Sequence, residues 1–212
     1  APVVDLNVTP DSPAIGAYER SFGDDPQKVV AQATAFIEAH RDHNILCTLK
    51  HFPGHGSARA DSHRGFVDVS ESWSPVELEP FAALIQAGLA DSVMTAHIFN
   101  RQWDQSARPR LRPAVIDGLL RGELGYNGVV ISDDLQMGAI RNEYGFEEAI
   151  RKVIEAGVDI IAIANNSVYD EAVMAKGVAI VKQLVADQII TAERIEQSYQ
   201  RIMQLKSRLN RQ

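Results

Sequence analysis

Short, nearly continuous apolar runs recur along the chain, each followed by polar or glycine-rich residues and then by apolar positions at helical spacing. The runs cover residues 3–8, 45–50, 92–97, 128–132 and 159–164. Their lack of polar alternation predicts parallel strands buried on both faces. Between them, residues 26–41 carry Val29, Val30, Ala33, Phe36 and Ile37 at helical spacing, with Asp25 placed as the N-terminal cap. Residues 75–87, 113–120 and 147–155 read as further helices. Two more follow the last strand, over 169–187 and 191–209, the second capped by Thr191.

Strand–helix alternation of this kind is compatible with an open doubly wound sheet or with a closed (β/α)8 barrel, and both place their chemistry at the carboxyl ends of the strands. Five strands are too few to close an eight-stranded barrel. The class is α/β in either case: three strands are missing from the amino-terminal side of a TIM-type (β/α)8 barrel, of which residues 1–212 would then hold the last five strand–helix units as one domain, or the sheet is open. Residues 72–75 and 101–113 read as loops within that domain, and no internal repeat or low-complexity stretch interrupts it. The chain starts directly on a core strand, with no methionine or signal pattern before it, so the missing leader says nothing about export.

Composition narrows the partners. With 212 residues and 45% hydrophobic content, the chain can bury a sizeable core. Its net charge of −7 would repel nucleic acid and anionic lipid, so a neutral or sugar-like substrate suits it better. No apolar run approaches the roughly 20 residues of a membrane-spanning helix. The lone cysteine, Cys47, follows Ile45 and Leu46 in an apolar run and reads as a small buried hydrophobe.

Candidate chemistry gathers at two strand ends. Three of the six histidines lie within Lys50-His51-Phe52-Pro53-Gly54-His55-Gly56 and the nearby Asp61-Ser62-His63. The prolines and glycines there predict a tight loop over the mouth of the fold. Asp61 can accept a hydrogen bond from His63 and so tune it to move a proton near neutral pH, and the same spacing also suits a solvated loop without chemistry. In Val129-Val130-Ile131-Ser132-Asp133-Asp134, an apolar strand ends in two carboxylates. Adjacent acids in that position imply that one faces the mouth, or that one caps a helix. An acid/base on a loop and a carboxylate at a strand end match the division of labour in a retaining glycosidase, with histidine in place of the usual second carboxyl. His51 and His55 are separated by a Pro-Gly turn rather than sharing a helix face, which disfavours a metal centre, and no cofactor is expected.

Lys50 to Gly56 with Asp61-Ser62-His63, and Ile131 to Met137, resemble the two signatures of family 3 glycoside hydrolases in their bacterial β-N-acetylhexosaminidase branch. Glu19-Arg20-Ser21-Phe22-Gly23-Asp24-Asp25-Pro26 and Met94-Thr95-Ala96-His97 extend the likeness in the family's order. The resemblance implies a (β/α)8 barrel with Asp133 as nucleophile, His63 as general acid/base and Asp61 as its partner. It also implies that Arg20, Lys50 and His51 hold the hydroxyls of a terminal sugar. The implied activity is removal of terminal β-linked N-acetylglucosamine, from peptidoglycan fragments, through a glycosyl-aspartate.

His55 reads as a loop-stabilising residue, while His97, Asn165 and Met137 suit either pocket lining or core packing. Two departures stand out. Arg64-Gly65-Phe66-Val67-Asp68 replaces a proline-containing continuation, and the family's first three strands, with an early sugar-binding aspartate, are absent. The alternatives are a family 3 β-glucosidase or glycoside phosphorylase, and a truncated non-catalytic saccharide-binding module. The expected setting is a monomer in the cytoplasm, with the periplasm or secretion as the alternative.

Overall fold

In the computed structural model, all residues are described except 62–64, 66, 102, 104–113, 138, 139, 141–143, 167, 168 and 210–212. Three strands form a parallel sheet in the order β1 (Thr48–Phe52), β2 (Ser92–Thr95), β3 (Val129–Ile131). Single parallel bridges extend it on both sides, from Val3 to Lys50 and from Ile131 to Ile160. Spatial order thus follows chain order across all five positions. A doubly wound sheet reverses its order at a switch point, and no reversal occurs among the described residues, so the arrangement is that of a partial (β/α)8 barrel.

The first and fifth expected strands are shorter than the apolar pattern implied, each reduced to one bridge. Each has a ladder partner on one side only among the described residues, and an unpaired strand edge carries no second row of hydrogen bonds to hold it extended. β1 is shifted from the expected 45–50 to Thr48–Phe52, which carries His51 into the strand itself.

Helix α1 (Pro26–Arg41) matches the expected bounds. Asp25 accepts a hydrogen bond from the Gln27 N–H at 2.9 Å, Pro26 occupies the first turn, and Val29, Ala33 and Ile37 form the buried stripe. The segment after β1 opens with a 3-10 turn, Pro75–Leu78, before α2 (Glu79–Gln86). The expected 113–120 helix is a π-type helix, Ala114–Glu123. The chain closes with α3 (Phe146–Glu155), α4 (Val173–Ala186) and α5 (Ala192–Ser207).

The main core joins α1, α2 and the strands through Val4, Leu6, Ile37, Leu49, Phe52, Phe81, Leu84 and Val93. Phe52 and Phe81 meet edge to face at 5.3 Å, and each such buried ring stabilises the fold by about 1.5–3 kcal/mol. Cys47 is buried in this core as expected. No helix among the described residues is long and apolar enough to cross a membrane.

Candidate active site

The carboxyl ends of the strands carry the candidate groups. After β3, Ser132 is fully buried and tied to the fifth strand position: its N–H donates to Ile160 O at 2.9 Å, and its Oγ accepts from Ala162 N at 2.9 Å. The two acids that follow have separate environments. Asp134 Oδ1 accepts from Gln136 N at 3.0 Å and from Ala164 N at 2.9 Å, so its carboxylate knits the turn to the neighbouring strand. Asp133 accepts from the N–H of Asp134 at 2.9 Å and remains half-buried. Neither acid caps a described helix. His97, just beyond β2, donates from Nε2 to Asp134 O at 3.1 Å, and its ring lies in the field of Asp133.

The β1 end is built around two buried carboxylates that the sequence reading missed. Asp5, on the first strand position, is fully buried. Its oxygens accept from His51 N at 3.1 Å, His51 Nδ1 at 2.7 Å and His55 N at 2.8 Å. Glu77, equally buried, accepts from Gly56 N at 3.1 Å, Ser57 N at 3.3 Å and Ser74 N at 3.3 Å. Together they take the backbone N–H groups of His51, His55, Gly56 and Ser57, donors that would otherwise be orphaned by burial.

Two glycines are required by this close packing. Gly54 has φ +114°, and a Cβ there would lie 2.7 Å from that of Glu77, while a Cβ on Gly56 would meet Leu6 O at 1.5 Å. Trp73 covers the loop, donating from Nε1 to Pro53 O at 3.1 Å. Both missed acids left a trace in the sequence. Asp5 interrupts the apolar run Val3-Val4-Asp5-Leu6, and Ser74-Pro75-Val76-Glu77 has the spacing of a helix capping box.

Of the expected sugar-binding residues, Arg20 and His51 come together, with Arg20 Nη2 3.3 Å from His51 Nε2. Arg20 Nη1 also donates to Ala14 O at 2.8 Å. Ser21 Oγ holds this segment to the first strand position through Asp5 O at 2.7 Å. Lys50 is half-buried in the middle of β1, and its carbonyl accepts from Val4 N at 2.8 Å. Asp61 is half-buried on the loop beyond, and His63 lies outside the described residues. The structure therefore groups Arg20, His51, Asp5 and His55, with Asp133 close enough to act on the His55 charge. Met137 is buried, whereas Asn165 lies on a turn where its side chain pairs with the Asp170 backbone. No group of three or more His, Cys, Asp or Glu residues suited to a metal ion occurs among the described residues.

Burial shapes the ionisation of the site. It pushes the His55 and His97 imidazoles below 6.5, against the pull of Asp5 on the first and Asp133 on the second. Burial would raise Asp5, but its electrostatic attraction to the His51 ring and the hydrogen bonds it accepts from His51 outweigh that and hold the carboxyl below the usual range. For Glu77 burial wins, and its carboxyl is raised.

A histidine depressed in the folded state takes up its proton sooner in the unfolded chain. Its contribution to stability is full above 6.5 and is lost as pH falls from there through the lower folded value. Glu77 acts in the opposite sense, so the histidine effect is read from a difference. The expected result is a thermal midpoint that falls less steeply between about pH 7 and 5 in His97→Asn than in the unmodified protein. Identical slopes in the two would refute a His97 held neutral by its half-buried setting.

The family model described as glycosyl hydrolase family 3 N terminal domain matches residues 1–205. A beta-hexosaminidase from Tolumonas auensis is 39% identical over 169 residues, covering 78% of this chain and 49% of the relative. The solved structure of a glycoside hydrolase family 3 beta-N-acetylglucosaminidase from Paenibacillus sp. superposes with a TM-score of 0.87 at 36% identity, over 99% of this chain and 39% of that one. A beta-N-acetylhexosaminidase from Beutenbergia cavernae superposes at 0.86 with 28% identity, over 98% of this chain and 62% of that one. The chain thus spans about half the length of the first of these relatives.

Proposed function

Because the chain belongs to glycosyl hydrolase family 3, we propose that residues 1–212 form one catalytic domain in a retaining exo-β-N-acetylhexosaminidase. The supporting observation is the half-buried Asp133 carboxylate beyond β3, beside an Asp134 that takes up the turn's backbone donors, and near enough to His55 to act on it electrostatically. In this reading Asp133 attacks the anomeric carbon while His63, oriented by Asp61, gives its proton to the departing glycosidic oxygen. The aglycone leaves as an alcohol and the sugar stays esterified to Asp133. His63 then takes a proton from water, whose oxygen displaces Asp133 and returns the original anomeric configuration.

Arg20, Lys50 and His51 hold the hydroxyls of the terminal sugar, which fixes the anomeric carbon against the nucleophile. The names of the relatives favour N-acetylhexosamine over glucose as that sugar. Peptidoglycan fragments are its proposed source, and the protein acts as a cytoplasmic monomer.

The test is turnover by the intact protein of a 4-nitrophenyl N-acetyl-β-glucosaminide against the matching β-glucoside, with and without phosphate, followed by proton NMR. The expected outcome is preference for the N-acetyl sugar, first release of the β-anomer and no phosphate requirement. Preference for the glucoside or dependence on phosphate would replace this reading with a glucosidase or phosphorylase. First release of the α-anomer would remove the covalent intermediate.

A further inference from the structure

We infer that Asp5 is a positioning residue that fixes His51 as a neutral imidazole protonated at Nδ1, leaving Nε2 beside Arg20 as the acceptor for a substrate hydroxyl. The chemistry of the donors compels this order. A guanidinium has five N–H donors and no acceptor, so the 3.3 Å contact between Arg20 Nη2 and His51 Nε2 requires the ring nitrogen to accept. An imidazole with a bare Nε2 carries its proton on Nδ1. That nitrogen lies 2.7 Å from Asp5 Oδ2, which accepts it as a carboxylate.

The other partners of Asp5 select the same state. They are the N–H groups of His51 at 3.1 Å and His55 at 2.8 Å, all donors, so the ionised carboxylate satisfies every one of them. Arg20 is held in turn by its second bond to Ala14 O. The result is an acceptor and a donor side by side, each anchored from behind. A hydroxyl, which donates and accepts at once, fits that pair by entering between the two groups in place of their direct contact: its proton goes to the Nε2 lone pair that Arg20 gives up, while its oxygen accepts from Arg20. An ammonium or a fluorine in its place would satisfy only one side. That the hydroxyl belongs to a sugar rests on the function proposed above, whereas the ring state of His51 does not.

The experiment uses the intact protein labelled with nitrogen-15 histidine, the His51 signals being identified by their loss in His51→Gln. The expected result at neutral pH is a proton on Nδ1 and a bare Nε2, with the ring moving towards the Nε2–H form in Asp5→Asn. Turnover of the aryl N-acetylglucosaminide by Asp5→Asn should show KM raised by about tenfold with a smaller change in kcat. Loss of folded molecules alone would lower kcat and leave KM in place.

A wild-type His51 protonated on Nε2, or on both nitrogens, would overturn the inference, and so would an unaltered ring state in Asp5→Asn. If that variant does not fold, the wild-type spectrum decides. A protein with the expected ring state but no activity on the N-acetylglucosaminide would defeat the proposed function and leave the role of Asp5 standing.

Discussion

Replacing Asp133 with alanine is expected to lower kcat on an aryl N-acetylglucosaminide by on the order of 10⁴-fold or more, because a nucleophile cannot be replaced by the remaining binding interactions. The thermal midpoint should barely move. Among the described residues Asp133 receives one local hydrogen bond, from the next residue's N–H, and it is half-buried. The alanine leaves a gap beside the anomeric carbon, so azide or formate added to Asp133→Ala should restore turnover, with azide giving a glycosyl azide of inverted configuration.

Asp134→Ala supplies the contrast. It strips the acceptor from Gln136 N and Ala164 N and should therefore cost stability, about 1–3 kcal/mol, more than chemistry. Near wild-type turnover in Asp133→Ala, or azide rescue in Asp134→Ala instead, would reverse the assignment of the two acids.

That choice shows where the sequence stops being legible. Two adjacent carboxylates at a strand end announce a functional site, but nothing in their spacing separates nucleophile from turn-former. What distinguishes them in the structure lies about 30 positions downstream, where Ala164 N donates to Asp134 Oδ1, and this supports the proposal of Asp133 as the nucleophile. Asp5 is a similar case. A lone acid in an apolar run signals something unusual, yet its partners His51 and His55 are 46 and 50 residues away.

The π-type helix was illegible for a different reason. Val115, Ile116, Leu119 and Leu120 give an α-helical stripe, and a change from i→i+4 to i→i+5 bonding leaves an apolar pattern this short almost unaltered. Helix α1 was legible throughout because its cap, its proline and its stripe are all local. The loop from Gly54 to Ser57 could be recognised as a turn, but its glycines reflect the approach of Glu77 and Leu6 O, which no local pattern records.

Helix α5 poses the sharpest version of this problem, because its docking does not follow from apolar periodicity: none of its residues is fully buried. It is held instead through Asp159 at the start of the fifth strand position, whose side chain is fully buried. Asp159 Oδ1 accepts from Ser198 Oγ at 2.7 Å, Arg201 Nη1 at 3.1 Å and Arg194 Nη1 at 3.4 Å. Its Oδ2 accepts from Val130 N at 3.0 Å and from Arg121 Nη2 at 3.1 Å. Three guanidiniums from two helices thus converge on one carboxylate that is also bonded to β3.

Asp159→Ala removes the shared anion and leaves those cations facing one another in a region poor in water. The expected loss of stability is about 3–5 kcal/mol, read from the urea midpoint of the intact protein. Amide exchange in α5 should quicken more than exchange in α1, which makes none of these contacts. Arg208→Ala is the control. It also breaks a pair, with Asp91, but the arginine side chain is 49% exposed and its loss should cost under about 1 kcal/mol. If the two variants lose stability equally, or Asp159→Ala loses less than about 1 kcal/mol, the helix is held by its apolar contacts and the buried aspartate is not its anchor.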